Sequence, residues 1–441
     1  MQCDGDAVSD HFAGRRSRVS SALGADGALI IAAAPELYVG TDTDVRYVPS
    51  ADLYYLTGYT EPEAVLVLCP SADHEFTMFV RPRDPERERW TGVRGGVEAA
   101  RAAFGADDAH ALAELSARLP ALLAGASTAY ARFDTGRPEV AAALREVLAH
   151  ARRNRPRAGR GVHTVADPQV LLGPMRMRKD AVEIDAIRKA ADITVGSFAD
   201  TARVLGSARH EYEVEAALEY AFRRRGASGP AFPTIAAAGA NATVLHYTAN
   251  DAALSSGDVL LIDAGARAHM YCADVTRTFP LGGRFAPAQR AIYDIVLAAH
   301  AAAIACIAVG RTTGDLDDAA LRVLVRGMVD LQLLAGAVDD IIEKREYRRY
   351  LPHRVSHWLG LDVHDAGDYM TAGGPVVFEE GMVLTVEPGL YIPLEDTDSP
   401  AHLRGIGIRL EDDVLVTPAG ADILTGGLAI RVEDVEALAG S

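Results

Sequence analysis

The sequence predicts an α+β protein with two domains, and the order of its helix and strand patterns is the main reason. In residues 1–172, strand-like and helix-like segments are mixed, as in an α/β domain. Residues 173–441 begin with long helical patterns and end in closely spaced strand patterns. This order favours an α+β arrangement over alternating βαβ units. A basic run, RRNRPRAGRG from Arg152, marks the shift in composition before the boundary.

The overall composition excludes several classes of protein. The 441 residues leave room for a large core, and 44 Lys and Arg stand against 61 Asp and Glu, a net charge of −17. Such a charge disfavours nucleic-acid and anionic-membrane partners. The four cysteines show no CxxC spacing, so a disulfide framework or zinc ribbon is not expected. The polar start, MQCDGDAVSDHF, does not read as a secretory signal, and we expect a cytoplasmic protein.

The elements of the first domain follow from periodicity. The segments ALIIAAAPELYVG, AVLVLCP and EFTMFV are typical of strands. HALAELSARLPALLAG and EVAAALREVLAHARR have the leucine and alanine spacing of helices. We interpret the basic run that follows as a solvated linker or helix end, because the chain as a whole is acidic.

The second domain begins with a long amphipathic pattern, RMRKDAVEIDAIRKAADITVGSFADTARVL, which predicts one helix from Arg176. EYEVEAALEYAFRRRG predicts a second helix that stops at Gly226. Further helices are expected over 286–309 and 315–334. The last third, with MVLTVEPGLYI and GIGIRLEDDVLVT, predicts strands.

Acidic residues interrupt the apolar strand patterns of this second domain. In VLLIDAGARAHMYCADVTRTF, Asp263 ends an apolar run and Asp274 lies inside a second strand-like run, Tyr271 to Phe279. Glu387 ends MVLTVE, and Glu411 follows Arg409 on the same face of an alternating strand. Burial of an unpaired carboxylate is costly, and a divalent cation offsets that cost.

A single acid at a strand end is usually a turn or surface residue, and a single histidine is usually structural. Four such carboxylates, with His357 in LPHRVSHWLGLDVHD, form an oxygen-rich set suited to hard or borderline divalent ions. Structural zinc would favour Cys and His instead. The spacing alone makes a metal site plausible and leaves open whether one ion or two would bind.

An ordered set of motifs resembles the Xaa-Pro aminopeptidase (aminopeptidase P) family of metallopeptidases. The motifs are LHYT, IDAG, ADVTRTF, SHWLGLDVHD, VLTVEPGLYI and GIGIRLEDD, and YYLTGYTEPEAVLVL resembles the family's N-terminal domain. The resemblance implies a creatinase-like N-terminal α/β domain over 1–172. It implies a pita-bread α+β catalytic domain over 173–441.

The resemblance also implies a metal centre. Asp263 would bind one ion, Asp274 and Glu411 would bridge two, and His357 and Glu387 would bind the second. The family usually uses manganese. Two such ions would activate a water and polarise the scissile carbonyl.

Other residues match family positions with roles in the reaction. Glu387 matches a general base and proton shuttle. His364 and His246 match histidines that contact the peptide, and His353 matches one that lines the proline subsite. Arg409 and Tyr369 match a pair behind the metal ligands that orients groups near the metals, and we also expect both to bind substrate.

The sequence departs from the commoner family pattern at some positions. Arg354-Val355 stands where many members have Gly-Leu, and Phe232 stands where a tyrosine is frequent. None of these is an expected metal ligand, so the departures bear on substrate preference.

The function that this resemblance implies is hydrolysis of the bond between an N-terminal residue and a following proline. The expected partners are therefore peptides with proline second, and family members often form homodimers or homotetramers. A prolidase that cleaves Xaa-Pro dipeptides is the nearest alternative. A catalytically silent pita-bread module that binds peptides or proteins, or a metal-free creatinase-like hydrolase, would be expected to lose metal ligands.

Overall fold

The computed structural model describes residues 5–41 and 43–440, which form two compact units, Met1–Gly173 and Pro174–Ser441. The sequence prediction placed the boundary one residue earlier. Within the described ranges, no helix combines the length and apolar character that crossing a membrane requires.

The first unit is built on a mixed sheet. Its helices are α1 (Gly5–Leu23), α2 (Ala51–Thr57), α3 (Pro85–Thr91), α4 (Gly96–Ala102), α5 (Leu115–Leu122) and α6 (Pro138–Ala158), followed by α7 (Gln169–Met177) at the boundary. Its strands are β1 (Gly27–Ala32), β2 (Tyr38–Val39), β3 (Thr43–Asp44), β4 (Val65–Leu68), β5 (Phe76–Val80), β6 (Asp108–Ala111), β7 (Thr128–Tyr130) and β8 (Thr164–Ala166). The main sheet has the order β6-β5-β4-β1-β7-β8.

The basic run from Arg152 lies mostly in the last turns of α6, which ends at Gly159 in a left-handed conformation. Its arginines are exposed, as expected for a solvated helix end. The prediction that this run is a helix end is therefore met, and the chain stays within the first unit until Gly173.

The second unit has helices α8 (Ala181–Ala202), α9 (Glu211–Arg224), α10 (Pro287–Ala305), α11 (Thr313–Asp330), α12 (Val338–Lys344) and α13 (Val432–Ala439). Its strands are β9 (Gly229–Pro230), β10 (Ile235–Ala238), β11 (Val259–Ala264), β12 (Ala266–Ala268), β13 (Tyr271–Cys272), β14 (Val275–Pro280), β15 (Met370–Thr371), β16 (Gly374–Pro375), β17 (Val383–Val386), β18 (Gly389–Ile392), β19 (Ile406–Arg409), β20 (Asp412–Thr417) and β21 (Gly420–Ile423). The strands form small antiparallel groups, including β10-β11-β14, β17-β20-β21 and β18-β19.

The long helix predicted from Arg176 is wrong at its start. Asp180 interrupts the pattern, because its carboxylate accepts hydrogen bonds from the main-chain N–H groups of Val182 and Glu183 and so begins α8. Glu183 returns a bond to the Asp180 N–H, which completes a capping box. The helical periodicity continues across this cap, so the break is not visible in the apolar pattern.

Helices cover the strands of the second unit and leave their acid-bearing ends free for a site. Helix α8 packs on β12 and β13, α9 on β10, and α10 on β19. One apolar core joins residues from helices and strands alike, with Phe198, Tyr293 and Trp358 among its large buried side chains. Such a core holds the strands in fixed register.

Candidate metal centre

Asp263 and Asp274 come together at one end of a strand pair. Asp263 lies in β11, and β11 pairs with β14 in a register that puts Asp263 opposite Thr276. Asp274 immediately precedes β14. The strand predicted over Tyr271 to Phe279 is therefore two strands, β13 and β14, with Asp274 between them. The interruption places the second acid beside the first.

The two backbone segments that carry these acids are in close contact at Gly265 and Ala273. A Cβ atom on Gly265 would lie 1.6 Å from the carbonyl oxygen of Ala273, a distance that no side chain can tolerate. Glycine is thus required where the two acid-bearing segments touch. The contact fixes the separation of the segments through the backbone.

Glu387 and Glu411 reach the same place from the last third of the chain. Glu387 follows β17, and its N–H donates to the carbonyl of Val355 at 2.8 Å. Glu411 lies between β19 and β20, and its N–H donates to the carbonyl of Thr276 at 3.0 Å. The Thr276 hydroxyl also donates to Glu411 Oε2 at 2.8 Å. Main-chain bonds therefore join each glutamate to a segment that carries another site residue.

His357 directs one ring nitrogen at this group of acids. Its Nε2 lies 3.4 Å from Asp274 Oδ2, 3.8 Å from Glu387 Oε1 and 4.0 Å from Glu411 Oε1. Ligand atoms of Asp274, His357 and Glu411 all lie within 4.8 Å of one another. This spacing allows one cation to contact all three.

The buried carboxylates of the site favour binding of a positively charged ion. Burial, and then the neighbouring carboxylates, raise the pKa of Asp274 and of Glu411 well above ordinary values. Burial raises the pKa of Glu387 to about 7, although His357 and Arg409 oppose the change. The Oδ1 atoms of Asp263 and Asp274 are buried and have no hydrogen-bond partner among the described residues. This donor set fits divalent cations with a preference for oxygen.

The Arg409 side chain holds Asp263 and Glu411 in position. Its guanidinium donates to Asp263 Oδ2 at 2.5 Å, to the Tyr391 hydroxyl at 2.9 Å and to the Thr276 hydroxyl at 3.1 Å. Burial opposes its charge, but Tyr391 and Asp263 raise the pKa of Arg409 well above its usual value. Arg409 thus orients Asp263 directly and Glu411 through Thr276.

The tyrosine that Arg409 contacts is Tyr391, a residue that the sequence analysis did not single out. Strands β18 and β19 pair with Gly389 opposite Arg409 and Tyr391 opposite Gly407, so Tyr391 and Arg409 are diagonal neighbours. The Tyr369 hydroxyl instead accepts the N–H of Trp358 at 2.9 Å, and its ring stacks on the indole.

A cavity of about 880 Å³ opens above the acids. All ten residues predicted from the sequence line it, together with Arg354, Phe232 and other side chains. The full lining is Phe232, Pro233, Ile235, Leu245, His246, Thr248, Asp263, Asp274, His353, Arg354, Ser356, His357, Asp362, Val363, His364, Tyr369, Glu387, Arg409 and Glu411. The volume is suited to a short peptide.

Three histidines besides His357 face this cavity. His353 Nε2 lies 2.9 Å from the Tyr391 hydroxyl, and burial lowers the pKa of His353 to about 4, so this ring stays neutral. The ring of His364 lies 4.4 Å from that of His357, and burial, then His357, lower the pKa of His364. His246 is exposed on the loop after β10.

The loop that carries His246 is held by Glu211, which the sequence analysis did not single out. The Glu211 carboxylate is fully buried and accepts bonds from Ala238 N, Asn241 Nδ2, the Tyr247 hydroxyl and Ala252 N at 2.7 to 3.0 Å. These donors stand on both sides of His246. An acid in the first turn of a helix looks like a surface residue, so the sequence carries no signal for this role.

The loop that carries His364 is held by a buried ion cluster. Asp365 accepts bonds from Arg176 at 2.5 Å and from Lys179 at 3.0 Å, and all three side chains are almost fully buried. Arg176 also donates to Asp362 at 2.9 Å. The segment from Asp362 to Asp365 is therefore fixed on both sides of His364.

Comparison with known proteins identifies the same family in both units. Residues 185–418 match the family model for metallopeptidase family M24, and residues 12–130 match the aminopeptidase P N-terminal domain. The Xaa-Pro aminopeptidase of Escherichia coli (strain K12) is 37% identical over 432 residues, covering 97% of each chain. The human Xaa-Pro aminopeptidase 3 is 32% identical over 423 residues, covering 94% of this chain and 81% of the human one.

Solved structures agree with these matches. The E. coli aminopeptidase P with the inhibitor Pro-Leu superposes with a TM-score of 0.91 at 36% identity, covering 98% of both chains. The Pseudomonas aeruginosa aminopeptidase PepP gives a TM-score of 0.90 at 40% identity, with the same coverage. The predicted fold class, an N-terminal α/β domain followed by an α+β catalytic domain of this type, is confirmed.

Proposed function

The chain belongs to metallopeptidase family M24, and we propose that it is an Xaa-Pro aminopeptidase, a metallo-exopeptidase that hydrolyses the bond between an N-terminal residue and a following proline. The observation that carries this function is the convergence of Asp263, Asp274, His357, Glu387 and Glu411 on one cavity. The relatives named Xaa-Pro aminopeptidase match along nearly the whole chain, which supports the same reaction here.

The five converging residues are the proposed ligands of two divalent ions. Asp263 would serve one ion, His357 and Glu387 the other, and Asp274 and Glu411 both. Bound cations would supply Lewis acidity toward a water molecule and toward the scissile carbonyl. The chain's part is to hold the ligands in place through Arg409, Thr276 and the main-chain bonds to Val355 and Thr276.

Proton transfer is the proposed task of Glu387 and the cavity histidines. Glu387 lines the cavity with its Oε1 3.8 Å from His357 Nε2, where it would serve as the general base. His364 and His246 are exposed toward the cavity, where they would hydrogen-bond the peptide. His353, neutral and fixed by Tyr391, would line the proline subsite with Tyr369 nearby.

Hydrolysis of matched peptides tests this function. We expect Ala-Pro-Ala to be cut once, releasing alanine, and Ala-Ala-Ala to be cut much more slowly. The dipeptide Ala-Pro separates the prolidase alternative, which predicts faster cleavage of the dipeptide than of the tripeptide. Activity that survives removal of metals by a chelator would favour a metal-free hydrolase instead.

Manganese is the proposed metal, because the donor set has four carboxylates and one imidazole. Reconstitution of chelator-treated protein with Mn²⁺, Zn²⁺ or Co²⁺, followed by metal analysis, tests this choice. We also propose a cytoplasmic location, supported by the bacterial relatives and by the free thiols of Cys69, Cys272 and Cys306. Self-association as a homodimer or homotetramer is proposed as well, and light scattering would measure it.

A further inference from the structure

Arg354 lines the cavity at a position where this chain departs from the commoner family pattern. It follows His353 in the loop that leads to His357, and its side chain is 48% exposed. The sequence resemblance associates glycine with this position, so the arginine side chain is not expected to take part in the shared reaction. Its presence calls for an explanation specific to this chain.

Two contacts from different elements direct the Arg354 side chain. One Nη atom donates to Asp317 Oδ2, in helix α11, at 2.6 Å. The guanidinium carbon lies 4.8 Å from the centre of the Tyr369 ring, within the range of a cation–π contact. The group is therefore held at the cavity wall. A guanidinium has five N–H donors, so the bond to Asp317 leaves others for a ligand.

The distribution of charge in the cavity shows which ligand suits this position. The acids of the metal centre lie at the base, and the guanidinium of Arg409 is buried against Asp263 and Tyr391. Among the cavity-lining residues, all within the described ranges, Arg354 is the exposed guanidinium. A short unblocked peptide carries a positive charge at its amino end and a negative charge at its carboxyl end. A cation would repel the first and attract the second.

We propose that Arg354 binds a carboxylate on the part of the substrate that follows the proline, and that this contact makes the protein prefer peptides with a negative charge there. The inference rests on the proposed Xaa-Pro aminopeptidase function. A guanidinium pairs with a carboxylate through parallel N–H···O bonds, which a glycine at this position could not offer. The carboxylate can come from a free C-terminus or from an acidic side chain.

Three peptides distinguish these sources: Ala-Pro-Ala, Ala-Pro-Ala amide and Ala-Pro-Glu amide. The wild-type protein should have a higher kcat/KM for the first than for the second. In Arg354→Gln this acid-to-amide ratio should fall about tenfold, mostly through KM, as expected for loss of one charge-assisted pair. If the wild-type kcat/KM for Ala-Pro-Glu amide is close to that for Ala-Pro-Ala, the contact also accepts side-chain carboxylates. Arg354→Lys, which keeps the charge but loses the planar fork, should retain part of the preference.

The matched control is Arg322→Gln. Arg322 also pairs with an aspartate of α11, Asp318, and is 51% exposed, but it does not line the cavity. The Arg322→Gln variant removes the same charge and should leave the acid-to-amide ratio of kcat/KM unchanged. An equal loss for all three peptides in Arg354→Gln, or an unchanged ratio, would overturn the proposal.

Binding of the product-like dipeptide Pro-Leu and of its amide tests Arg354 without turnover. Calorimetry on the metal-loaded wild type should show tighter binding of the free acid, and Arg354→Gln should lose that difference. Similar affinity of acid and amide for the wild type would contradict the proposal. A protein that binds the acid selectively but hydrolyses none of the tripeptides would contradict only the proposed function.

Discussion

His357 Nδ1 lies 3.1 Å from the carbonyl oxygen of Trp358. A carbonyl can only accept, so Nδ1 donates its N–H to it, and Nε2 is the nitrogen that faces Asp274, 3.4 Å away. The main chain thus fixes the tautomer that a metal ligand needs. Since Trp358 is fully buried, its carbonyl is anchored by the core.

The first prediction concerns Asp274. Asp274→Asn removes a charge that both proposed ions would share, so metal content and activity should fall together. Metal per chain, measured beside kcat on purified protein, checks this. Asp294→Asn on the exposed face of α10 removes the same charge away from the cavity and is the control. A variant that keeps both metals and full turnover would refute the bridging role.

The second prediction separates proton transfer from metal binding. His364 faces the cavity beside His357 but belongs to no predicted ligand set. His364→Ala should keep its metals and its fold and lose turnover by about 10²- to 10⁴-fold, the usual size of general acid–base help. His150→Ala, on α6, should leave kcat unchanged. Loss of metal from His364→Ala would show that the histidine acts as a ligand.

The third prediction concerns stability and pH in chelator-treated protein. Burial raises the pKa of Glu387 to about 7, so between about pH 4.5 and 7 the folded state holds a proton that the unfolded state has released. The Glu387 contribution to stability is therefore lost as pH rises through this range. His353, whose pKa is lowered to about 4, acts in the opposite direction. The Tm of Glu387→Gln minus the Tm of the wild type isolates the effect. This difference should increase from pH 5 to pH 8.

The fourth prediction concerns Glu211 as a positioning residue for His246. Glu211→Gln replaces one of the two acceptor oxygens with a donor, so it breaks the bonds on one side of the His246 loop. We expect kcat to fall with metal content retained. In the His246→Ala background the same change should add little, since the histidine to be positioned is absent. Additive losses in this double-mutant cycle would indicate a general structural effect.

Glu213→Gln is the control for that experiment. Glu213 lies two residues further along α9, is half-buried and contacts His210. The variant should match the wild type in both kcat and Tm.

The fifth prediction concerns the buried ion cluster. Lys179→Met leaves Asp365 with Arg176 as its remaining cationic partner in an almost fully buried setting. The free energy of unfolding should fall by about 3 kcal/mol, as is typical when one partner of a buried pair is removed. Lys189→Met, which breaks an exposed pair with Asp185, should cost less than about 1 kcal/mol. Urea titration of both variants measures the contrast.

The sequence predicted the acids and histidines of the site and Arg409, but not the other residues that hold them. The acids interrupt apolar strands, and this local pattern can be recognised in the sequence. Tyr391 was missed because its bond to Arg409 depends on the register of β18 and β19. Glu211 was missed because its four donors are distant in sequence.

The same reasoning explains where the predicted elements differ from the structure. The helix predicted from Arg176 is broken by the cap at Asp180, since a cap changes main-chain bonding without disturbing the apolar spacing. The strand predicted through Asp274 is broken where the backbone passes Gly265. Both differences arise from contacts of the main chain, which leave little trace in hydrophobicity.

The crossing of Gly265 and Ala273 has a consequence for how this protein tolerates sequence change. Because backbone atoms in direct contact set the spacing of the Asp263 and Asp274 segments, the size of the surrounding side chains does not. Conservative drift in the nearby core, such as Ile262→Val, should therefore lower thermal stability slightly while metal affinity stays constant. At Gly265 itself even a single added methyl group should abolish metal binding. The core around the metal centre therefore tolerates conservative substitutions, whereas Gly265 tolerates none.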